Sequence, residues 1–173
     1  MADPLPFLVE PNAHPVPAED RAARIAEPGF GKVFTDHMVT IRYVEGQGWH
    51  QARVHARQPL VLDPATAVLH YAQEIFEGLK AYRLADGTMA LFRPEANAQR
   101  FNASARRMAM VELPEELFIG ACRELVKIDR DWFPDVEGGA IYLRPFMIAS
   151  EAFLGVKPSS EYLFMVIAMR RAE

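Results

Sequence analysis

The sequence has 173 residues, half of them hydrophobic, which is enough to bury one core and too little for two large domains. A formal net charge of -4 with scattered arginines argues against a nucleic-acid partner. The single cysteine, Cys122, excludes an intramolecular disulfide and fits a reducing cytoplasm. No signal-peptide pattern opens the sequence and no apolar run reaches about 18 residues, so we expect a cytoplasmic location and no membrane insertion.

Six prolines are concentrated in the first 28 residues, and proline disfavours both regular helix and paired strand. They are Pro4, Pro6, Pro11, Pro15, Pro17 and Pro28. The sequence therefore predicts an extended, proline-rich N-terminal arm over residues 1–28, ordered only against a partner surface. Residues 29–173 are predicted to form a small α/β domain.

Two hairpins are predicted in the first half of this domain. Residues 34–44 are rich in β-branched and aromatic side chains, and a glycine-containing turn separates them from a second strand at residues 51–57. Asp63, followed by a proline, is suited to capping a short helix. Residues 78–84 and 88–92 flank an Asp-Gly pair, which is typical of a tight reversal between two strands.

Two helices and two further strands follow. A stretch without proline or glycine predicts a helix over residues 95–111, and a second helix is expected to begin at Pro114. The second helix carries an apolar stripe, formed by Leu117, Phe118, Ala121, Cys122, Leu125 and Ile128. Residues 140–149 and 162–169 have the pattern of strands, and the latter segment is apolar enough to be central. We expect an α/β (α+β) fold, a mixed sheet with flanking helices.

Tyr142 and Arg144 lie two residues apart on a predicted strand, so they share one face while Leu143 points to the other. An arginine beside a tyrosine hydroxyl is suited to holding a carboxylate through two parallel charge-assisted hydrogen bonds. The alternative is a structural ion pair with one of the 23 acidic residues. By the residue pattern alone, the ion pair is the more common outcome.

Other candidate side chains have ordinary structural explanations. Three arginines on the first predicted helix could reach a phosphate, although arginines at such positions are commonly solvated or paired: Arg100, Arg106 and Arg107. An aromatic run is explained by core packing, with a pocket wall as the alternative: Tyr71, Phe76 and Tyr82. The histidines lack metal-ligand spacing, and no hydrolase, phosphate-loop or dinucleotide motif occurs, so we assign no metal.

Five strings, in matching order, resemble the branched-chain amino-acid aminotransferases. They are FGKVFTDHM (residues 30–38), LHYAQEIFEGLKAYR (69–83), FRPEAN (92–97), YLRP (142–145) and LGV (154–156). The resemblance spans residues 29–169 and is to the N-terminal part of that family. It implies the fold-type IV group of pyridoxal-phosphate (PLP) enzymes, whose small N-terminal α/β domain packs on a larger C-terminal domain with the cofactor between them.

The resemblance also implies roles for single residues. By position, Arg100 matches the arginine that holds the PLP phosphate, and Arg144 matches a residue that binds a substrate carboxylate, particularly that of glutamate or 2-oxoglutarate. Phe30, Tyr71 and Tyr142 match the aromatic wall of the substrate pocket, and Phe76 is predicted to bind substrate with them. An aromatic wall suits an apolar side chain, while the arginine serves the acidic co-substrate.

The last string places Leu154, Gly155 and Val156 in a loop that, in the family's dimer, reaches the active site of the neighbouring subunit. A homodimer or a higher assembly is therefore implied. The implied reaction transfers the amino group of leucine, isoleucine or valine to 2-oxoglutarate.

None of the four lysines matches the family's Schiff-base lysine; they are Lys32, Lys80, Lys127 and Lys157. That lysine is expected beyond Glu173, in the larger domain, so we expect the 173-residue chain by itself to be inactive. Two alternatives stay open: another fold-type IV enzyme, such as a D-amino-acid aminotransferase or an aminodeoxychorismate lyase, and a non-catalytic module that binds keto acids. The Phe-Glu-Gly-Leu-Lys and Tyr-x-Arg-Pro strings favour the branched-chain enzyme.

Overall fold

The computed structural model describes residues 5–26, 31–136 and 138–170. Within these ranges the strands are β1 (Leu8–Val9), β2 (Phe34–Val44), β3 (Gly48–Ala56), β4 (Glu74–Phe76), β5 (Leu79–Arg83), β6 (Met89–Leu91), β7 (Ala140–Ala149) and β8 (Glu161–Arg170). The helices are α1 (Ala18–Ala26), α2 (Ala67–Tyr71), α3 (Pro94–Arg107) and α4 (Glu115–Ile128), and one 3-10 turn covers Arg130–Trp132. No helix of the described ranges is long and apolar enough to cross a membrane.

The strands join one mixed sheet in the order β1-β3-β2-β8-β7-β5-β6, and β4 pairs with the second half of β7. Among these pairs β1 with β3 is parallel, whereas the hairpin partners and the long strands β2, β8 and β7 are antiparallel. β8 lies between β2 and β7, and its residues Phe164 to Val166 are fully buried. The predictions of a mixed sheet with flanking helices and of a central, apolar last strand are confirmed.

Both predicted hairpins are confirmed. β2 pairs with β3, and β5 pairs with β6 around a turn in which Gly87 has a φ of +81°, a conformation that glycine adopts without a steric penalty. The short helix predicted after Asp63 is α2, and the Asp63 carboxylate accepts the backbone N–H of Ala65 at 2.7 Å before the helix begins.

Helices α3 and α4 pack on one side of the sheet, which we call the covered face. Phe101 of α3 and Phe118 of α4 meet Phe164 of β8, with ring centroids 5.5 and 5.9 Å from that of Phe164. Cys122 lies on the predicted apolar stripe of α4, and burial raises the pKa of its thiol to about 12. A thiol that stays protonated in an apolar layer is inert, so its role is packing.

The other side of the sheet, which carries Tyr142 and Arg144 of β7, is the open face. Its apolar part is small: Met38, Ile148 and Met165 form a second cluster against which Val68 of α2 packs. Tyr142 and Arg144 are partly exposed on this face. The fold therefore keeps a row of β7 side chains accessible.

The prediction that residues 1–28 contain no helix and no paired strand is wrong. β1 pairs with β3, and α1 occupies the proline-free interval that follows Pro17. The arm also packs on its own chain, because the backbone N–H groups of Asn12 and Val16 donate to His37 and Asp36 at 2.8 and 3.0 Å. Proline breaks the interior of a helix and disfavours helical backbone at the residue before it, but the stretch that follows Pro17 has room for the nine residues of α1.

Helix α3 is shorter than the predicted range of 95–111. It ends at Arg107, and the chain reverses through Ala109, whose φ is +52°. The Asn102 side chain stabilises this reversal, since its amide accepts the N–H of Leu113 at 2.9 Å and donates to the C=O of Leu113 at 2.8 Å. The end of the helix is set by this tertiary contact and not by a local breaker.

Candidate functional site

Tyr142 and Arg144 stand side by side on the open face, as their spacing predicts, while Leu143 is fully buried on the covered face. The Arg144 Nη2 donates to the Tyr142 hydroxyl at 3.0 Å. The guanidinium also lies 4.5 Å from the ring centroid of Phe76 and 5.4 Å from that of Tyr142. Two aromatic rings and a hydroxyl thus fix the position of this cation.

The guanidinium of Arg144 forms no ion pair with a carboxylate of the described residues. Its Nε is buried and has no hydrogen-bond partner within the same ranges. A guanidinium that no carboxylate of the described residues neutralises can bind an acidic ligand through its other donors. Of the two interpretations left open by the sequence, the geometry therefore favours the carboxylate site over the structural ion pair.

Gly78 makes room for the Tyr142 ring. A Cβ at position 78 would overlap the Tyr142 hydroxyl oxygen and lie 2.8 Å from the Tyr142 Cζ. Only glycine therefore allows the phenol to lie across the start of β5. Beside this contact is a cavity of about 330 Å³, lined by Gly78, Leu79, Lys80, Tyr82, Phe92, Asn97 and Tyr142.

Arg100 is held by a buried carboxylate. Its Nε and Nη2 donate to the two oxygens of Glu77 at 2.6 and 2.7 Å, and Asn97 donates to the same carboxylate at 2.9 Å. The Glu77 side chain is 6% exposed, whereas that of Arg100 is 65% exposed. One edge of the Arg100 guanidinium therefore faces the protein, and its remaining donors face solvent.

This pairing decides the charge state of Glu77. Burial acts to raise the pKa of the carboxyl, but the hydrogen bonds from Arg100 and Asn97, with the positive charge of Arg100, outweigh burial and hold the pKa below its ordinary value. The same hydrogen bond and charge raise the pKa of Arg100. Both partners are ionised at neutral pH.

Tyr71 and the loop after β7 form a separate group. Ala149 ends β7 five residues beyond Arg144, about 16 Å at 3.3 Å per residue. There the N–H of Phe153 donates to the C=O of Ala65, and the Phe153 ring lies 6.3 Å from that of Tyr71. Tyr71 therefore lies with the loop, at the opposite end of β7 from Tyr142.

No protein-family model matches the sequence. The chain is 60% identical over 162 residues to the probable branched-chain-amino-acid aminotransferase of Streptomyces coelicolor, covering 92% of the chain and 44% of that protein. It is 54% identical over 166 residues to the branched-chain-amino-acid aminotransferase of Mycolicibacterium smegmatis, covering 95% of the chain and 45% of that protein. The chain is homologous to the N-terminal part of the branched-chain aminotransferases. It spans less than half the length of these curated relatives.

Solved structures of branched-chain aminotransferases have the same fold. The Escherichia coli enzyme aligns with a TM-score of 0.57 at 19% identity, over 76% of the chain and 40% of that structure. The Thermobaculum terrenum enzyme, solved in its PLP-form, aligns with a TM-score of 0.57 at 20% identity, over 80% of the chain and 41% of that structure. The fold class implied by the resemblance is therefore confirmed.

The aromatic residues predicted as a pocket wall are not core residues. Phe76 is 62% exposed and Tyr71 is 41% exposed, so core packing, the ordinary explanation, is wrong for both. Leu154 and Val156 are 71% and 97% exposed. Phe30 lies outside the described residues. The geometry brings Phe76, Tyr142 and Arg144 together, and it separates Tyr71 and the 154–156 loop from them.

Three residues beside the predicted site were not singled out by sequence reasoning. They are Glu77, Gly78 and Asn97. A signal for the first two was present, since both belong to the Phe-Glu-Gly-Leu-Lys string that carries the resemblance. Asn97 lies one helical turn before Arg100, a spacing that places both side chains on one side of α3.

Proposed function

We propose that the complete gene product transfers the amino group of leucine, isoleucine or valine to 2-oxoglutarate with PLP as cofactor. The observation that carries the proposal is the Arg144 guanidinium, which lies against Phe76 and Tyr142 with a buried donor left unpaired. A carboxylate is a well-matched acceptor for a guanidinium, and every amino acid and keto acid of the proposed reaction contains one. Homology to branched-chain aminotransferases supports the same reaction.

The rings around Arg144 suit the apolar substrates. Phe76 is largely exposed, and Tyr142 is partly exposed beside the 330 Å³ cavity. Burying a leucine, isoleucine or valine side chain against such rings contributes roughly 1.5–3 kcal/mol by apolar transfer. The acidic co-substrate has a second carboxylate in place of that side chain, and a cation stacked between aromatic rings offers it a charged partner. One small region thus contains contacts for both kinds of substrate.

The described residues fit a phosphorylated cofactor. Nη1 of Arg100 has no partner among the described residues, and the side chain faces solvent, so a free guanidinium edge is available for a phosphate. When bound, PLP supplies the electron sink that amino-group transfer requires. The protein's part is to hold the phosphate through Arg100 and to orient the substrate carboxylate through Arg144.

We further propose that the site is completed by a second copy of the protein. Tyr71 and the residues Leu154, Gly155 and Val156 lie beyond the end of β7, where the large apolar side chains are exposed. Exposed apolar side chains grouped at one end of a sheet are typical of an interface. Their role is to form part of the pocket wall in the neighbouring subunit of a homodimer or higher assembly.

The Arg144 assignment is tested by Arg144→Gln in the complete gene product. Loss of charge-assisted hydrogen bonds of about 1.5–3 kcal/mol predicts a drop in kcat/KM for 2-oxoglutarate of roughly 10- to 150-fold. The matched control is Arg106→Gln, since Arg106 forms an exposed ion pair with Glu112 at the last turn of α3. Unchanged kinetics in Arg144→Gln, with leucine as amino donor, would contradict the assignment.

The 173-residue chain alone is proposed to be inactive. Each of its four lysines is exposed, and Lys157 is already paired with Glu151 at 2.9 Å. Lys80 lines the cavity beside Tyr142, which makes it the one to examine first among them. The test is a leucine-to-2-oxoglutarate assay of the purified chain in the presence of PLP, followed by borohydride reduction and peptide mapping. Measurable transfer, or a stoichiometric label on Lys80, would contradict this proposal.

A further inference from the structure

Glu77 occupies a position where a carboxylate is unusual, in the link between two strands and 6% exposed. Its backbone N–H donates to the C=O of Pro145 at 2.8 Å, so the residue is fixed to β7 directly after Arg144. Its side chain crosses to α3 and binds Arg100 through both oxygens. The Glu77 residue therefore connects the strand that presents Arg144 with the helix that presents Arg100.

The pairing determines which donors of Arg100 remain. A guanidinium has five N–H donors, and Glu77 takes one from Nε and one from Nη2. The donors that remain are on Nη1 and Nη2, and they include the adjacent edge of the guanidinium. Because the Arg100 side chain is 65% exposed, that edge is accessible and has a fixed direction. A planar fork held in this way presents two parallel N–H groups, the geometry that an oxyanion prefers.

The Glu77 carboxylate is itself fixed by its neighbours. Asn97 donates to it at 2.9 Å and to the C=O of Gly78 at 3.3 Å. Asn97 and Arg100 are three residues apart on α3, so both donors move together with the helix. The carboxylate cannot follow a different rotamer of Arg100 without losing Asn97. This arrangement holds the long Arg100 side chain, which would otherwise sample many rotamers in solvent.

We propose that Glu77 is a positioning residue for phosphate recognition: it orients Arg100 so that the free edge of the guanidinium binds the phosphate of the cofactor. The inference rests on the proposed function, since it needs a phosphorylated ligand at Arg100. Glu77 makes no contact with that ligand itself. Glu77 has two opposing effects on phosphate binding. Its negative charge repels a phosphate, but its two hydrogen bonds to Arg100 order the arginine that attracts one. The ordering of Arg100 outweighs the repulsion, because two hydrogen bonds from the cationic Arg100 and one from Asn97 neutralise the Glu77 carboxylate.

The test compares two non-covalent probes in the complete gene product: pyridoxamine 5'-phosphate and pyridoxamine, which differ only in the phosphate. The ratio of their dissociation constants, measured by absorbance or fluorescence titration, reports phosphate recognition alone. Glu77→Gln keeps the shape of the side chain and removes its charge. We expect this variant to lower the ratio about tenfold, the loss of one oriented charge-assisted contact, with the pyridoxamine dissociation constant unchanged.

Two further variants separate the outcomes. In an Arg100→Lys background, which retains the charge and loses the fork, Glu77→Gln is expected to have no additional effect on the ratio. The control is Glu112→Gln, which removes an exposed 2.6 Å ion pair with Arg106 on the same helix and should leave the ratio at the wild-type value. If Glu77→Gln does not fold, as judged by circular dichroism, Glu77→Asp replaces it, since it keeps the charge but is one methylene too short to reach Arg100 from the same backbone position.

The possible failures are distinguishable. A wild-type protein that binds both probes equally would refute the proposed cofactor site, whatever Glu77 does. A wild-type preference for the phosphorylated probe that Arg100→Lys reduces, while Glu77→Gln leaves it unchanged or increases it, would overturn the positioning role and leave the cofactor site intact.

Discussion

The two faces of the sheet carry similar aromatic residues in opposite circumstances. On the covered face, Phe164 is fully buried and its ring meets two others from α3 and α4. On the open face, Phe76 is 62% exposed and lies against the Arg144 guanidinium. Large apolar side chains left in solvent beside an unpaired buried donor add little to folding, and they are typical of a surface kept for a ligand or a neighbouring molecule. Burial, rather than residue type, separates the side chains that stabilise the fold from those that serve the site.

The largest loss of stability is expected for a substitution on the covered face. Phe164→Ala should lower the free energy of unfolding of the chain by about 3–5 kcal/mol, because it removes a buried ring and leaves a cavity between Phe101 and Phe118. Urea-induced unfolding followed by circular dichroism measures the change. A loss below about 1 kcal/mol would mean that the two helices do not pack on β8 as described.

Gly78 lies in the link between β4 and β5, against Tyr142 of the open face. Gly78→Ala places a methyl group against the Tyr142 ring, 2.8 Å from its Cζ, and this overlap costs about 1–3 kcal/mol of stability. The ring must then move, which separates its hydroxyl from Arg144. The expected result is a moderate loss of stability together with a loss of 2-oxoglutarate affinity. Tyr142→Phe removes the hydroxyl without crowding, so it should reproduce the affinity loss without the loss of stability.

The sequence predicts the covered face better than the site. The two long strands at 140–149 and 162–169 agree with β7 and β8 to within a residue, because an apolar run bounded by breakers is a local pattern. Helix α1 is absent from the prediction because prolines on either side of it disfavour regular structure in the arm. The segment after Pro17 nevertheless has acidic residues in its first turn and Arg24 in its last, which suit the helix dipole.

Side-chain pairings across the chain have no such local signal. Tyr142 and Arg144 are two residues apart, so strand alternation alone places them together. Glu77 and Arg100 are 23 residues apart, and their contact depends on how α3 lies against the link between β4 and β5. No periodicity encodes that placement, so the buried carboxylate behind Arg100 emerges only from the folded structure.

A smaller effect on stability, which depends on pH, is expected for the Glu77–Arg100 ion pair. The pKa of Glu77 is lowered on folding, so its pairing with Arg100 stabilises the chain above the ordinary value of 4.5 and is lost as pH falls through the lowered pKa. Solvent around the exposed Arg100 limits the contribution to about 1 kcal/mol. Glu77→Gln should therefore be less stable than the wild type at pH 7, and the difference should vanish in acid. A difference in unfolding free energy that stays constant between about pH 3 and pH 7 would show that the pair is not the cause.

The smallest effect on stability is expected on the open face, at Phe76. Phe76→Ala removes a ring that is 62% exposed, so the free energy of unfolding should change by no more than about 0.5 kcal/mol, against several for Phe164→Ala. The same change removes the aromatic neighbour that lies 4.5 Å from the Arg144 guanidinium. In the complete gene product we expect Phe76→Ala to raise KM for leucine and to leave the melting temperature unchanged. The Phe76→Leu variant should recover part of the apolar contact but not the cation–π contact. A Phe76→Ala protein as destabilised as Phe164→Ala would place this ring in the core and remove the distinction between the two faces.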